Sequence, residues 1–384
     1  MSTGIYVQVP FCQTKCTYCN FHTGVVTRDR YLPYVDAVCR EIAQTIGAAQ
    51  GADTIYIGGG TPSLLEPSAL ARMLNHIYAA SQSEPVEVTL EADPETVTPE
   101  KAVQWRGAGI NRISLGAQSF QDAELRASGR MHRREDVFRA VDLLRGAGFR
   151  NISMDLIAGL PHQTRNSWED SVSQLLRVYP EHVSIYMLEI DEGSRLGREA
   201  MAGGARYSAQ SLPSDDDTAD FYDSARRRLG SAGYEHYEIS NWALPGRESR
   251  HNLKYWQRDA YIGVGAGAHS FDGFLRWANV HEPDRYARLV EQGTSPREQI
   301  ETITPPIALS EDLFLGLRQL RGADFARIES RYSAEEVLRD RLLTLRQRME
   351  TLQAHGLLDF DGTFARIPPD KLTISSEIMA ELLG

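Results

Sequence analysis

GIYVQVPFCQTKCTYCNF, residues 4–21, decides the fold. Its first six residues alternate in the manner of a β-strand, and Pro10 ends the run. The loop that follows carries Cys12, Cys16 and Cys19 in the spacing C-x3-C-x2-C. A strand therefore delivers three thiols to one loop. Buried thiols or half a zinc site are the simpler readings. Structural zinc takes four ligands, commonly from two C-x2-C knuckles, and no second knuckle follows. The fourth cysteine, Cys39, lies in the helical pattern YVDAVCREIAQTI and is expected in the core. Three thiolates without a fourth suit a 4Fe-4S cluster with one iron left open to another ligand.

Outward from this stretch, strand and helix periods alternate. Strands are expected at 4–9, 53–59, 86–93, 112–118, 151–159 and 182–188. Helices are expected at about 30–49, from Pro67, at 99–107, in REDVFRAVDLLRGAG and at about 165–178. Six such units call for a parallel sheet with helices outside: an α/β fold, either an open partial (β/α)6 TIM-type barrel or a doubly wound sheet. Either topology puts its chemistry at the C-terminal strand ends. Gly58–Pro62, Glu91–Pro94, Gln118 and Asp155–Pro161 all fall at or near such ends.

Beyond the sixth strand, 191–215 is Gly-, Ser- and Asp-rich and reads as a loop. A helix at about 216–232 and the strand YEHYEIS follow. Residues 240–285 are aromatic and Gly-rich with little periodicity. Helices at about 307–321 and 334–355, the hairpin HGLLDFDGTFARI and a last helix at 373–383 suggest a C-terminal helical, winged-helix-like domain. The expected division is a barrel over 1–240, a connecting segment over 241–306 and the helical domain over 307–384. At about 100–200 residues per domain, 384 residues suit that count. A net charge of −11 argues against nucleic acid as a partner. No apolar run reaches the roughly 18 residues of a membrane span, and the N-terminus lacks an export-signal pattern. A cytoplasmic protein is expected.

C-x3-C-x2-C after the first strand of a β/α chain resembles the radical S-adenosylmethionine (radical SAM) superfamily. There the open iron chelates SAM, and an electron from the cluster yields a 5′-deoxyadenosyl radical. YVQVPFC, GGGTPS, EADPE, RISLGAQSF, GRMH and DLIAGLP are similar to the anaerobic coproporphyrinogen III oxidase family over nearly the whole chain. That resemblance implies that Cys12, Cys16 and Cys19 hold the cluster. It places Tyr6, Gly59 and Glu91 on a first SAM, and Gly60, Thr61, Gln118, Arg130 and Asp155 on a second. The residues suit such work: glycines let backbone amides approach a ligand, carboxylates accept from hydroxyls or ammonium, and Arg grips carboxylate.

The departures point within the family. The oxidase has a further cysteine two residues after the third, where this chain has Phe21, and only eleven residues precede Cys12. YEISNWALPG and His251-Asn-Leu-Lys-Tyr-Trp256, an H-N-x-x-Y-W motif, resemble the family's heme-chaperone branch. Where some relatives carry a cysteine just before the motif, this chain has Ser249. The branch implies heme as cargo, client hemoproteins, and an electron donor such as flavodoxin or ferredoxin. It leaves a homodimer and peripheral membrane association open. His251 is the candidate heme ligand, since imidazole commonly ligates heme iron. Packing of His251, Tyr255 and Trp256 between the barrel and the C-terminal domain is the alternative. Oxygen-independent decarboxylation of coproporphyrinogen III is the rival activity.

Overall fold

The computed structural model describes residues 3–48 and 51–384. The expected end of the first helix at 49 and the first two residues of the presumed unsignalled N-terminus lie outside them. Strands β1 (Gly4–Val9), β2 (Thr54–Gly59), β3 (Glu87–Ala92), β4 (Arg112–Gln118), β5 (Ile152–Ala158) and β6 (His182–Met187) lie side by side, all parallel, in chain order. A doubly wound sheet reverses its strand order at a switch point. This order never reverses, which settles the two topologies in favour of the partial barrel.

The six strands share one composition rule. Outward positions are apolar, for example Ile5, Val7 and Val9 on β1 or Ile113, Leu115 and Ala117 on β4, and all are buried. They meet the helices α1 (Tyr31–Thr45), α2 (Pro67–Ser81), α3 (Pro99–Gly107), α4 (Asp122–Ala127), α5 (Arg134–Gly146) and α6 (Arg165–Val178). Helix α1 buries Tyr34, Val35, Val38, Cys39 and Ile42, the i, i+3, i+4 stripe read from its sequence. Full burial of one such aliphatic side chain contributes about 1.5–3 kcal/mol. Inward positions are polar instead: Tyr6 and Gln8, Thr54 and Tyr56, Glu87, Thr89 and Glu91, Arg112 and Ser114, Ser153 and Asp155, His182 and Ser184. The barrel thus has a polar lumen inside an apolar shell.

Two segments differ from expectation. The presumed loop 191–215 contains α7 (Arg195–Met201), capped by the Ser194 side chain. It precedes α8 (Asp215–Ser231), into which Trp168 of α6 donates a hydrogen bond at the Phe221 carbonyl (2.7 Å). The segment with little periodicity supplies both flanks of the sheet. On the β6 side lie β7 (Glu235–Glu238) and β8 (Asn241–Ala243). After helix α9 (Arg250–Trp256), β9 (Tyr261–Val264) pairs parallel with β1, and β10 (His269–Phe271), β11 (Leu275–Asn279), helix α10 (Pro283–Glu291) and β12 (Arg297–Thr302) continue outward. The sheet ends in two edges, β12 and β7, so the barrel is open.

The C-terminal part follows as α11 (Pro305–Arg318), β13 (Ala323–Asp324), α12 (Phe325–Tyr332), α13 (Arg339–Ala354), β14 (Asp359–Phe360), β15 (Phe364–Arg366) and α14 (Ser375–Leu383). The expected hairpin is present, and β13 adds a third strand to it. Arg318 joins this part to the barrel by an ion pair with buried Glu238 (3.0 Å) and by stacking over Trp256 (4.4 Å). Among the described residues, no helix is long and apolar enough to cross a membrane.

Candidate active site

At the C-terminal ends of the parallel strands lies a cavity of about 490 Å³. Cys12, Cys16 and Cys19 line it, as do Gly59, Gly60, Thr61, Glu91, Gln118, Arg130 and Asp155. Strand β1 brings the cysteines: the Cys12 amide donates to the Gly24 carbonyl (3.0 Å), which folds the loop back over the strand end. Burial raises the thiols of Cys12 and Cys19 above their usual range, so ligation would expel their protons. Cys39 stays buried in α1, away from this cavity.

The Gly-rich turn presses on that loop. Gly60 N–H donates to the Val9 carbonyl (2.8 Å), and Thr61 N–H to the Phe11 carbonyl (2.7 Å). A Cβ at Gly60 would stand 2.5 Å from the Phe11 carbonyl oxygen and 2.9 Å from Cys12 Sγ. Only glycine allows this approach. Gly59, at φ +118°, turns its N–H onto Glu91 Oε2 (2.9 Å). Tyr56, one layer lower in the lumen, donates to Glu91 Oε1 (2.8 Å). Burial outweighs both bonds and raises the Glu91 carboxyl to about 7. Burial likewise raises Asp155 to about 6, against nearby Ser184 and Arg112.

Arg130 is anchored rather than free. It pairs with Asp93, donates to the Gly116 carbonyl (2.8 Å) and sits 3.6 Å from Cys16 Sγ. Asp93 also accepts from Thr61 Oγ1 (3.1 Å). One guanidinium thereby links the third strand end, the fourth strand and the cysteine loop. Gln118 takes a left-handed backbone, φ +64°, just past a register shift in β4. Such backbone strain in a non-glycine residue collects at functional sites. The Asp93–Arg130 link, Tyr56, this shift and the polar lumen escaped the sequence reading.

Two expected residues stand apart. Tyr6 lies below the cavity, its hydroxyl donating to Gln8 (2.7 Å) and its ring near Tyr56 (6.0 Å). His251 lies at the opposite, N-terminal end of the barrel. Helix α9 plugs that base: Glu87 accepts from the amides of Arg250 (3.1 Å) and His251 (3.0 Å). The His251 ring is fully buried, with Nδ1 bonded to Thr54 (2.9 Å) and Nε2 to Tyr255 (2.9 Å). Burial, with Lys254 alongside, lowers its pKa to about 3. In this arrangement both ring nitrogens are bonded to the protein's own hydroxyls.

The donor set and the shape fit an iron–sulfur cluster with SAM. Three thiols line one cavity, no fourth cysteine joins them, and the Gly59–Gly60 turn packs directly against the loop that carries Cys12.

Comparison with known proteins follows the same line. Residues 6–175 match the Radical SAM superfamily. "Heme chaperone HemW" of Mycobacterium tuberculosis (strain ATCC 25618 / H37Rv) is 34% identical over 99% of this chain and 95% of its own length. "Heme chaperone HemW" of Bacillus subtilis (strain 168) is 36% identical over 85% of this chain and 86% of its own. The solved coproporphyrinogen III oxidase HemN of Escherichia coli superposes with a TM-score of 0.85, covering 99% of this chain and 90% of its own, at 22% identity. That likeness is one of fold.

Proposed function

Since the chain belongs to the radical SAM superfamily and, within it, to the heme chaperone HemW family, we propose that it binds heme and passes it to hemoproteins. The observation that carries the reading is the meeting of Cys12, Cys16, Cys19 and the Gly59–Thr61 turn in one cavity, with Phe21 where the oxidase has a further cysteine. Cys12, Cys16 and Cys19 would hold the cluster. When bound, the cluster and SAM supply one-electron chemistry.

The chain's own residues divide the remaining work. Gly59, Gly60 and Thr61 would receive SAM along backbone. Glu91 and Asp155 would accept from its ammonium or ribose hydroxyls, and both are poised to change protonation near neutral pH. Gln118 would add a polar contact. Arg130 would hold Asp93 and the cysteine loop in place while offering its remaining N–H groups. Tyr6 would support the floor through Gln8. In this reading 1–240 carry cluster and SAM, 241–306 close the sheet flanks and barrel base, and 307–384 form the winged-helix-like part. The partners are heme, client hemoproteins and a one-electron donor of flavodoxin or ferredoxin type, in the cytoplasm.

The test is transfer. Anaerobically reconstituted, heme-loaded protein is mixed with a heme-free respiratory hemoprotein, and the client's own heme spectrum is followed. Faster loading than from the same concentration of free heme supports the proposal. Equal rates, or heme retained by the donor, would refute it.

A further inference from the structure

An imidazole that is to ligate an iron porphyrin must be neutral and reachable. Most of the chain's buried histidines are committed elsewhere. His182 has both nitrogens bonded, to Ser153 (2.7 Å) and Tyr237 (2.7 Å). His132 is buried against the Ala117 carbonyl (2.9 Å) and Glu95 (3.5 Å). His236 stacks on Trp242 at 4.0 Å. His251 closes the barrel base, as described.

Three histidines gather instead next to the cysteine loop, outside the cavity lining itself. His22 follows the cysteine loop. His269 opens β10 and His281 follows β11, both at the end of the sheet where β1 and β9 finish. The rings of His22 and His281 lie 4.1 Å apart, tilted by 33°. His22 and His269 are exposed. His281 is half-buried, with Nδ1 buried and unpartnered near Gly267, where an added Cβ would stand 3.0 Å away. Partial burial, then the neighbouring imidazoles, holds His22 and His269 below the usual histidine range. Both are therefore neutral at pH 7, with a lone pair to give.

The surroundings match the rest of a heme. Phe21, next in the chain, is 65% exposed and lines the cavity. Lys15 also lines it, and its ammonium donates to the Phe21 carbonyl (3.1 Å). An imidazole pair, an aromatic face and a cation thus share one rim.

We propose that this rim is the heme seat: the His22–His281 pair supplies an imidazole nitrogen to the iron, Phe21 packs on the macrocycle and Lys15 meets a propionate. The inference rests on the heme-binding reading above and moves the ligand from the barrel base to the cluster end. Binding forms one nitrogen–iron bond and releases a water or hydroxide from the ferric ion, with no change of oxidation state. An open seat also suits cargo that must leave again.

The test titrates ferric heme into anaerobically reconstituted protein and reads binding by absorption and ligation by electron paramagnetic resonance. Wild type, His22→Ala, the double variant His22→Ala/His281→Ala, and His251→Gln are compared, with cluster iron measured in each. Wild type should show a nitrogen-ligated heme. The double variant should bind about tenfold more weakly or worse, lose that signal, and regain it on adding free imidazole. His22→Ala alters an exposed side chain, so a weakened signal there cannot be ascribed to misfolding. An unchanged affinity and signal in the double variant would overturn the seat while leaving heme binding intact. No heme uptake by wild type would overturn both. Loss of the signal in His251→Gln alone would return the ligand to the barrel base.

Discussion

Replacing Gly60 by Ala tests the cradle on which the cofactor site depends. The new methyl would lie 2.5 Å from the Phe11 carbonyl oxygen and 2.9 Å from Cys12 Sγ. The carbonyl has little freedom to retreat. It accepts from Thr61 N–H (2.7 Å), and β1 is paired with β2 up to Val9 and Gly59. Relief must come from Cys12 or from the loop that carries it. Inserting a methyl into a packed site of this kind costs about 1–3 kcal/mol. Either response moves a thiol that the cluster needs. Gly60→Ala should therefore lower the denaturation midpoint of the metal-free protein and cut iron incorporated on anaerobic reconstitution. Gly47→Ala is the control, since a Cβ there has no neighbour within 4 Å. Full iron content with an unchanged midpoint in Gly60→Ala would refute the contact argument.

Ala at Cys12, Cys16 or Cys19 should each abolish a stable cluster by iron analysis, while Cys39→Ala should keep it; the reverse pattern would overturn the ligand assignment. His251→Ala leaves the buried Thr54 hydroxyl, and the half-buried Tyr255 hydroxyl, without their partner, at about 1–3 kcal/mol for the buried group, so chemical denaturation should show a clear loss. An unchanged midpoint would show that α9 does not depend on these bonds. Glu91 has its folded pKa raised from 4.5 to about 7, so its stability contribution is full below the unfolded value and is lost as pH rises through about 7. Glu91→Gln should accordingly gain on wild type between about pH 5 and about pH 8 in the SAM-free protein. A variant that loses ground over that range would contradict the burial argument.

The barrel was legible because long strands and helices each repeat their period several times. The six parallel strands run six or seven residues, and their apolar outer faces need no knowledge of partners. Strands β8 to β11 run only three to five residues, too short to repeat a period, and β9 finds its partner in β1 at the far end of the sequence. They were missed for that reason. Helix α7 was missed because seven residues among glycines and acids look like loop. Cys12, Cys16, Cys19 and the glycine turn could be read because their spacing is itself the chemistry. Arg130 could be named but not its bond to Asp93, which spans 37 residues. His251 misled for the converse reason: an imidazole in an aromatic motif resembles a ligand until Thr54 and Tyr255 are seen on its two nitrogens.

The most direct measurement places heme and coproporphyrinogen III before the same reconstituted sample. With SAM, a reductant and a functioning oxidase run in parallel, the products and the bound heme are quantified together. The account predicts stable uptake of heme and no protoporphyrinogen from the wild-type chain. Steady decarboxylation of coproporphyrinogen III without heme binding would contradict it and make the chain an oxidase.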